Sequence, residues 1–483
     1  MKNKILKLRI TLWVGLALVV GWLTFMKIVP TGHITYQYNF AKQDFFIRKL
    51  TPPERVNAVQ AGEQKVIGDP VYFSLFTPRH FNQAHVSLKY KINETPTSSV
   101  PIVELGVLVD KRVWRYDLKP IYNRTIEELG SSWDKKEENR TVLLQKNDPG
   151  IKKYENIQDF LSHLPNREQL ALYNYDLPND YQLKNYRASS GKMIIDYPLR
   201  GIWQLYTYIQ DEVLNFEIKL ADMNLNLDPD PVDLNLYYDD ELIDSRHLDD
   251  DGETHDSGTS SFMNIGLKAA KLPTGVYKLE LKANDDIITR TIITNQSKLS
   301  FINRIWLNID SRGLKLYTNS RKITAQTVSA ANLGTIKVSG QPFKIDQTYK
   351  QFSFINRASV AEIELPKGDF ILAGDRLFAF PKNSLFDPDF KKVDANFELT
   401  DSKVNYILAR YNFNGQIDDW LTQTLDFDLN GVYRENGKYS FLLSIPGLKT
   451  EDATGPGVTL SEIKIKLTGK NLWEYFKKII NKK

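Results

Sequence analysis

Four short runs of this chain alternate apolar and polar residues with a period of two, and that pattern constrains the fold more than any other feature. In VSLKYKI, Val86, Leu88, Tyr90 and Ile92 share one face, and Ser87, Lys89 and Lys91 share the other. LNFEIKL sets Leu214, Phe216, Ile218 and Leu220 opposite Asn215, Glu217 and Lys219. YKLELK does the same with Tyr277, Leu279 and Leu281, and EIKIKL with Ile463, Ile465 and Leu467. Side chains of a strand point alternately to its two faces, so these runs predict half-buried antiparallel strands. Their lysines keep the outer face in water and discourage edge pairing.

Turn chemistry agrees. Asn436-Gly437 lies between TLDFDLNGVY and KYSFLLSI, and both turn residues tolerate positive φ. Asn284-Asp285-Asp286 does similar work between YKLELKA and IITRTII. Beyond the N-terminal run, helices are few and are expected at two places. ENIQDFLSHL (155–164) has Asn156 as its cap and Pro165 as its stop. The C-terminal NLWEYFKKIINKK puts Leu472, Trp473, Phe476, Ile479 and Ile480 on one face, which is expected to dock on a neighbouring sheet.

The N-terminus points to a membrane. Lys2, Lys4, Lys7 and Arg9 precede an uncharged run from Ile10 to Met26, which Ile28 and Val29 extend past Lys27. Ile10 to Val29 is long enough to cross roughly 30 Å of hydrocarbon as a helix. Trp13 falls near the inner interface, and the Lys27 stem can reach the headgroups at the far end. No small-x-small cleavage site follows, so an uncleaved signal anchor is expected rather than a removed signal peptide. The leading basic residues hold the N-terminus in the cytoplasm, which leaves the bulk of the chain extracytoplasmic.

The expected architecture is therefore mostly β. A cytoplasmic tail (1–9), a transmembrane signal anchor (10–29) and a juxtamembrane connector (30–60) precede a β-sandwich with a short helical insert (61–212). An immunoglobulin-like sandwich (213–298) with six or seven short strands and a larger, jelly-roll-like or lectin-like sandwich (299–483) with a terminal amphipathic helix complete the chain. At 483 residues the chain can build more than one core.

Composition removes whole classes of function. With no cysteine there are no disulfides, thiolate zinc sites, iron–sulfur clusters or cysteine nucleophiles. For a chain outside the cytoplasm, this fits a bacterial surface protein better than a eukaryotic secreted one. A net charge of +4, spread along the chain with no basic tract among aromatics, argues against a nucleic-acid partner. No G-x-S-x-G elbow, P-loop, HExxH or dinucleotide glycine run occurs.

The stretches GDPVYFSLFTPRHFNQAHVSLKYK, VELGVLVDKRVWRYDLKPIYN and PLRGIWQLYTYIQDEVLNFEIKLADMNLN resemble single-pass surface proteins of small-genome candidate-phylum bacteria. In those proteins an anchor precedes lectin-like and immunoglobulin-like sandwiches. The resemblance covers roughly the first three hundred residues. It implies a place and a fold, and it carries no functional residues.

Two groups of residues are candidate sites. DSRHLDDDGETHDSG (244–258) holds Asp249, Asp251, Glu253 and Asp256, oxygen donors that an irregular loop could gather around calcium. With Gly252 aligned as the loop glycine, His247 and Gly258 occupy the first and last ligand positions, where calcium needs oxygen side chains. The stretch is thus read first as a solvated turn. The second group is aromatic. Trp114, Tyr116 and Tyr122 in VWRYDLKPIY, and the tyrosines of LYNYDLPNDYQLKNY (172–186), could stack on sugar rings, although each is first expected to pack in a core. The leading reading is a surface structural or adhesion-type interaction module, with the membrane, surface glycans and other envelope proteins as partners. The second is a carbohydrate-binding protein or an accessory of a cell-envelope glycan-processing complex. A third, an extracytoplasmic glycan hydrolase, needs only two carboxylates at a set separation, which sequence spacing does not report.

Overall fold

A computed structural model describes residues 2–469, apart from 29–31, 43, 96–98, 179–180, 190, 225–228, 251, 253–260, 309–311, 400–402, 414, 418, 447 and 449–454. The chain is mostly β, with several antiparallel sheets and few helices. It divides into two units: residues 1–176 with 390–483, and residues 177–389. The second unit is thus inserted into the first, and the linear division at 212 and 298 does not coincide with either boundary. The reason lies in the strand pairing, which joins segments hundreds of residues apart.

In the first unit, Gly457–Thr468 pairs antiparallel with His33–Tyr38 and Gln64–Val66 along one side and with Gln83–Asn93 along the other. Gln83–Asn93 pairs in turn with Trp420–Asp428. A second sheet runs in the order Val71–Phe76, Lys438–Ser444, Ile102–Asp110, Arg115–Asn123. The inner positions of both sheets form one core, with Val86, Leu88, Ile463 and Ile465 from the first and Leu75, Leu105, Val107 and Phe441 from the second. Phe427 of the first sheet and Phe441 of the second approach to 6.2 Å between ring centroids. Burying each such side chain stabilises by about 1.5–3 kcal/mol relative to exposure. The alternating runs keep their expected faces: Val86, Leu88 and Tyr90 are buried, and Lys89 is exposed.

A third sheet departs from the antiparallel expectation. Lys391–Lys392, Leu170–Tyr173 and Tyr406–Arg410 run parallel, and Thr141–Gln145 and Asp134–Glu138 continue antiparallel. Helix Arg124–Ser132 brings Ile126 against Val142, Leu144 and Ile407. Helix Ile157–Ser162 brings Phe160 onto Tyr154 and Tyr406, with centroids at 5.0 and 5.6 Å. Residues 142 and 144 alternate with 143 and 145, and all four are buried. Such strands read as apolar runs without alternation, which is why they gave no period-two signal. Asn156 caps the second helix as expected, accepting from Asp159 N at 2.7 Å. The first helix was not expected, although Asn123 Oδ1 caps it by accepting from Ile126 N at 3.1 Å.

In the second unit a five-stranded sheet includes Ile287–Thr294, Leu214–Asp222 and Ser261–Ala269. Its Phe216, Ile218 and Leu220 share a core with Leu234, Leu236, Leu279 and Leu281 of a twelve-stranded sheet. Residues 213–298 contain six described strands. Trp203–Ile209 pairs both with Gly275–Lys282 and with Leu299–Trp306, so divisions at 212 and 298 would cut through one sheet. The long sheet continues through Ile371–Ala379 and Leu314–Thr318 to Ala361–Leu365 and Gly334–Val338.

Both turn signals lie at turns, but they connect differently than expected. Asn436 (φ 49°) and Gly437 (φ 78°) close a short hairpin between Arg434–Glu435 and Lys438–Ser444, whereas TLDFD belongs to the facing sheet. Residues 284–286 carry the chain from one sheet of the second unit to the other. At the N-terminus, Lys2–Ile28 forms a helix of 27 residues. Among the described residues no helix is long and apolar enough to cross a membrane. The expected C-terminal helix lies outside the described residues.

The interleaved pairing makes a prediction. Residues 177–389 expressed alone should unfold cooperatively on heating, because they hold all strands of their core. Residues 30–176 alone should give no cooperative transition, because they lack Lys438–Ser444 and Gly457–Thr468. A cooperative melt of that second fragment would overturn the pairing.

Candidate functional site

The outer face of the second sheet of the first unit carries a groove of about 680 Å³. It is built by alternation. In Val71–Phe76, Val71, Phe73 and Leu75 go to the core, so Tyr72 and Ser74 face outward. In Lys438–Ser444, Tyr439, Phe441 and Leu443 go inward, leaving Lys438 and Ser440 outside. The cross-strand register sets Tyr72 opposite Leu442 and Ser74 opposite Ser440.

One edge of the groove is a segment that runs beside Val71–Phe76 without forming a full strand. Arg48 N donates to Ser74 O at 2.9 Å, and Thr51 N and Tyr72 N exchange bonds with each other's carbonyls at 2.9 and 2.7 Å. Asp44 Oδ1 fixes the entry by accepting from Phe46 N at 2.6 Å and Ile47 N at 2.7 Å. Ile47 and Leu50 are drawn into the core, which turns Arg48 and Lys49 outward. Arg48, Lys49 and Thr51 all line the groove.

The other edge is the tip of the hairpin joining Ile102–Asp110 to Arg115–Asn123. Trp114 and Tyr116 line the groove from there, as does Tyr72 from the floor. Trp114 is 64% exposed and has φ 50°. A bulky side chain in left-handed backbone costs on the order of 1–2 kcal/mol, and such strain clusters at functional positions. Tyr72 and Tyr116 lie 6.3 Å apart between centroids, tilted by 45°. At Gly106, a Cβ would meet Leu118 Cδ2 at 2.8 Å and Tyr116 Cβ at 3.2 Å, so the glycine lets the hairpin's outer side chains lie across the sheet.

Burial, and then the neighbouring Tyr72, push the Tyr116 phenol up to about 12. Burial also raises Tyr72, with Arg55 opposing and Asp69 adding to the shift. Both phenols are therefore neutral donors near pH 7. Rings, hydroxyls and cations share this groove, and no carboxylate lines it among the described residues. Asp69 and Glu104 are partly buried acids of the same unit. Asp69 Oδ1 accepts from Ile445 N at 2.6 Å and Ser444 Oγ at 3.2 Å. Burial raises both carboxyls above their ordinary values, and Asp69 adds to the shift of Glu104.

Of the aromatic candidates, Trp114 and Tyr116 come together and Tyr122 stays apart. Tyr122 packs against the core, and burial with Glu94, Glu127 and Glu128 pushes its phenol up to about 12. The tyrosine-rich run also packs: Tyr173 is buried, and Tyr181 and Tyr186 pack around Tyr208, Val276 and Phe386. Sequence reasoning missed Arg48, Lys49, Tyr72, Lys438 and Ser440.

Of the calcium candidates only Asp249 is described; Asp251, Glu253 and Asp256 lie outside the described residues. Residues 244–248 belong to strand Glu241–Leu248, with Asp244 opposite Leu236 and Arg246 opposite Leu234. His247 Nδ1 lies 2.5 Å from Asp233 Oδ1, and its Nε2 lies 3.3 Å from Asp249 Oδ1. The bond to Asp233, with a smaller part from Asp249, raises the imidazole above its ordinary range. Among the described residues no group of three or more His, Cys, Asp or Glu could hold a metal ion.

No family model matches the chain, and no curated protein matches it. Among solved structures, the VP2 subviral particle of infectious bursal disease virus is similar at 10% identity, covering 94% of this chain and 88% of that one with a TM-score of 0.15. The Gt strain of the same virus gives 8% identity, 92% and 83% coverage and a TM-score of 0.15. Dimeric latent PorU from Porphyromonas gingivalis gives 8% identity, 62% and 32% coverage and a TM-score of 0.14. Scores this low carry no argument about fold or function.

The raised carboxyls make a pH prediction. Glu104 binds its proton more tightly when folded than when unfolded, so its contribution to stability is greatest below its ordinary value of 4.5 and falls as pH rises through the raised one. Glu104→Gln removes that loss. The melting temperature of the variant minus that of the original chain should therefore grow from pH 4.5 to pH 7.5. A constant difference would overturn the assignment.

Proposed function

We propose that this chain is a membrane-anchored extracytoplasmic β protein that presents a carbohydrate-binding groove on its first unit. The observation that carries the reading is the groove itself. Trp114 and Tyr116 line one edge of it, Tyr72 its floor, and Ser74, Ser440 and Thr51 add hydroxyls nearby. Aromatic faces stack on the apolar C–H faces of sugars, while neutral phenols and hydroxyls satisfy the sugar's own hydroxyls. A volume of about 680 Å³ suits a short oligosaccharide.

The anchor is supported by the run Ile10 to Val29 and its basic N-terminal flank. Leu12, Trp13 and Val14, then Leu18, Val19 and Val20, are exposed in succession, so apolar side chains meet the surroundings on every face of the helix. Lipid is the solvent that suits such a helix. In this reading the paired sheets are lectin-like or jelly-roll-like and immunoglobulin-like sandwiches, as in the candidate-phylum surface proteins that the sequence resembles. They act as a stiff mount that holds the groove away from the bilayer. Hydrolysis needs two carboxylates at the bound sugar and is not part of the proposal.

Two experiments test the reading. The full chain in detergent micelles should bind envelope or host glycans on an array, and Trp114→Ala should lower that binding about tenfold or more, in line with the loss of one stacking ring. Absence of binding to every glycan would overturn the carbohydrate assignment. Protease applied to intact cells should remove the bulk of the chain and spare an intracellular control; full protection would overturn the orientation.

A further inference from the structure

The two edges of the groove differ in chemistry, and the difference narrows the class of sugar. Trp114 and Tyr116 stand at the hairpin edge, Arg48 and Lys49 at the opposite edge, and Lys438 rises from a floor strand between them. Among the described residues these three cations form no ion pair. Lys438 acts on Glu435, whose carboxylate is already held by Lys111 at 2.9 Å. The groove therefore offers unneutralised positive charge to whatever lies in it. From the segment at 47–51 to Arg115–Asn123 there are four strand spacings, roughly 19 Å at about 4.8 Å each. That is room for several linked sugar rings.

We propose that the groove selects a carboxylate-bearing glycan, a uronic-acid oligosaccharide. Its ring faces would stack on Trp114 and Tyr116, and its carboxylates would meet Arg48, Lys49 and Lys438. This inference rests on the carbohydrate reading and deepens it. The planar fork of an arginine matches a carboxylate with two parallel hydrogen bonds, and lysines add point charge. In a uronic acid the charge is carried on the ring itself, so one sugar residue satisfies stacking and ion pairing together. A polyol phosphate brings charge without a ring face for Trp114 to cover. The cations also raise the local concentration of any polyanion, an effect that salt weakens.

The test uses the full chain in detergent micelles and three probes: a uronic-acid hexasaccharide, its carboxyl-reduced neutral counterpart, and a glycerol-phosphate polymer. The acidic sugar should bind at least about tenfold more tightly than the neutral one at low salt. That gap should close as salt rises from about 0.02 to about 0.5 M, which shortens the Debye length from roughly 20 to roughly 4 Å. Combining Arg48→Gln, Lys49→Gln and Lys438→Gln should abolish the gap without changing the melting temperature, and Trp114→Ala should weaken both sugars alike. If the triple variant melts early, Lys49→Gln alone replaces it and should narrow the gap. Equal binding of acidic and neutral sugars overturns the charge inference and leaves the carbohydrate reading standing. Binding of neither overturns both. Binding of the phosphate polymer as tightly as the uronate overturns the carboxylate assignment.

Discussion

Backbone hydrogen bonding along Gly457–Thr468 holds the first unit closed. Its inward residues Ile463, Ile465 and Leu467 fill the core, while its two edges accept His33–Tyr38 and Gln64–Val66 on one side and Gln83–Asn93 on the other. Without it those strands would carry unpaired donors and acceptors along their open edges. Lys438–Ser444 has the same role in the facing sheet, where it separates Val71–Phe76 from Ile102–Asp110. The groove depends on it directly, because Lys438 and Ser440 form the floor between Tyr72 and the hairpin that carries Trp114. A groove assembled this way is as stiff as the sheet beneath it, which fixes the orientation of its rings.

How much of this could be read in the sequence follows from what alternation encodes. Period two reveals which residues of a strand face inward, and the runs at 86–92, 214–220 and 463–467 sort their side chains as expected, whereas Glu280, expected on the outer face of 277–281, is buried and accepts from Gln204 and Asn235. It says nothing about which strand lies alongside. Gln83–Asn93 pairs with strands more than three hundred residues away, and nothing in VSLKYKI distinguishes those partners from nearer ones. The insertion of residues 177–389 between 176 and 390 is invisible for the same reason, so a linear division at 212 and 298 does not follow it. Runs buried on both faces, such as TVLLQ and YILAR, gave no alternation at all, and the mixed sheet they form went unseen.

The groove was half legible. Trp114 and Tyr116 sit near a turn in an aromatic-rich segment, and that local signal sufficed to single them out. Tyr122, only six residues beyond Tyr116, packs against the core, because a strand change of face cannot be told from a list of aromatics. Arg48, Lys49 and Lys438 are ordinary surface cations in sequence. They gain meaning only through the register that lines them up beside Tyr72 and Ser440. In the stretch at 244–258, residues 244–248 belong to an edge strand in which His247 is held by Asp233, a pairing that the sequence does not show.

Threading residues 177–389 between the two halves of the first unit has a consequence for how the molecule is made. Arg115–Asn123, at the outer side of the groove, leaves the ribosome 315 residues before Lys438. At about 5–20 residues per second, this is an interval of roughly 15–60 seconds. During that time half of each sheet has been synthesised with no partner for its open edges, while the inserted unit can already complete its own core. A chain made in this order has to keep those waiting strands away from one another and from neighbouring chains. The demand falls on the early lysine-bearing runs, whose charges discourage edge pairing.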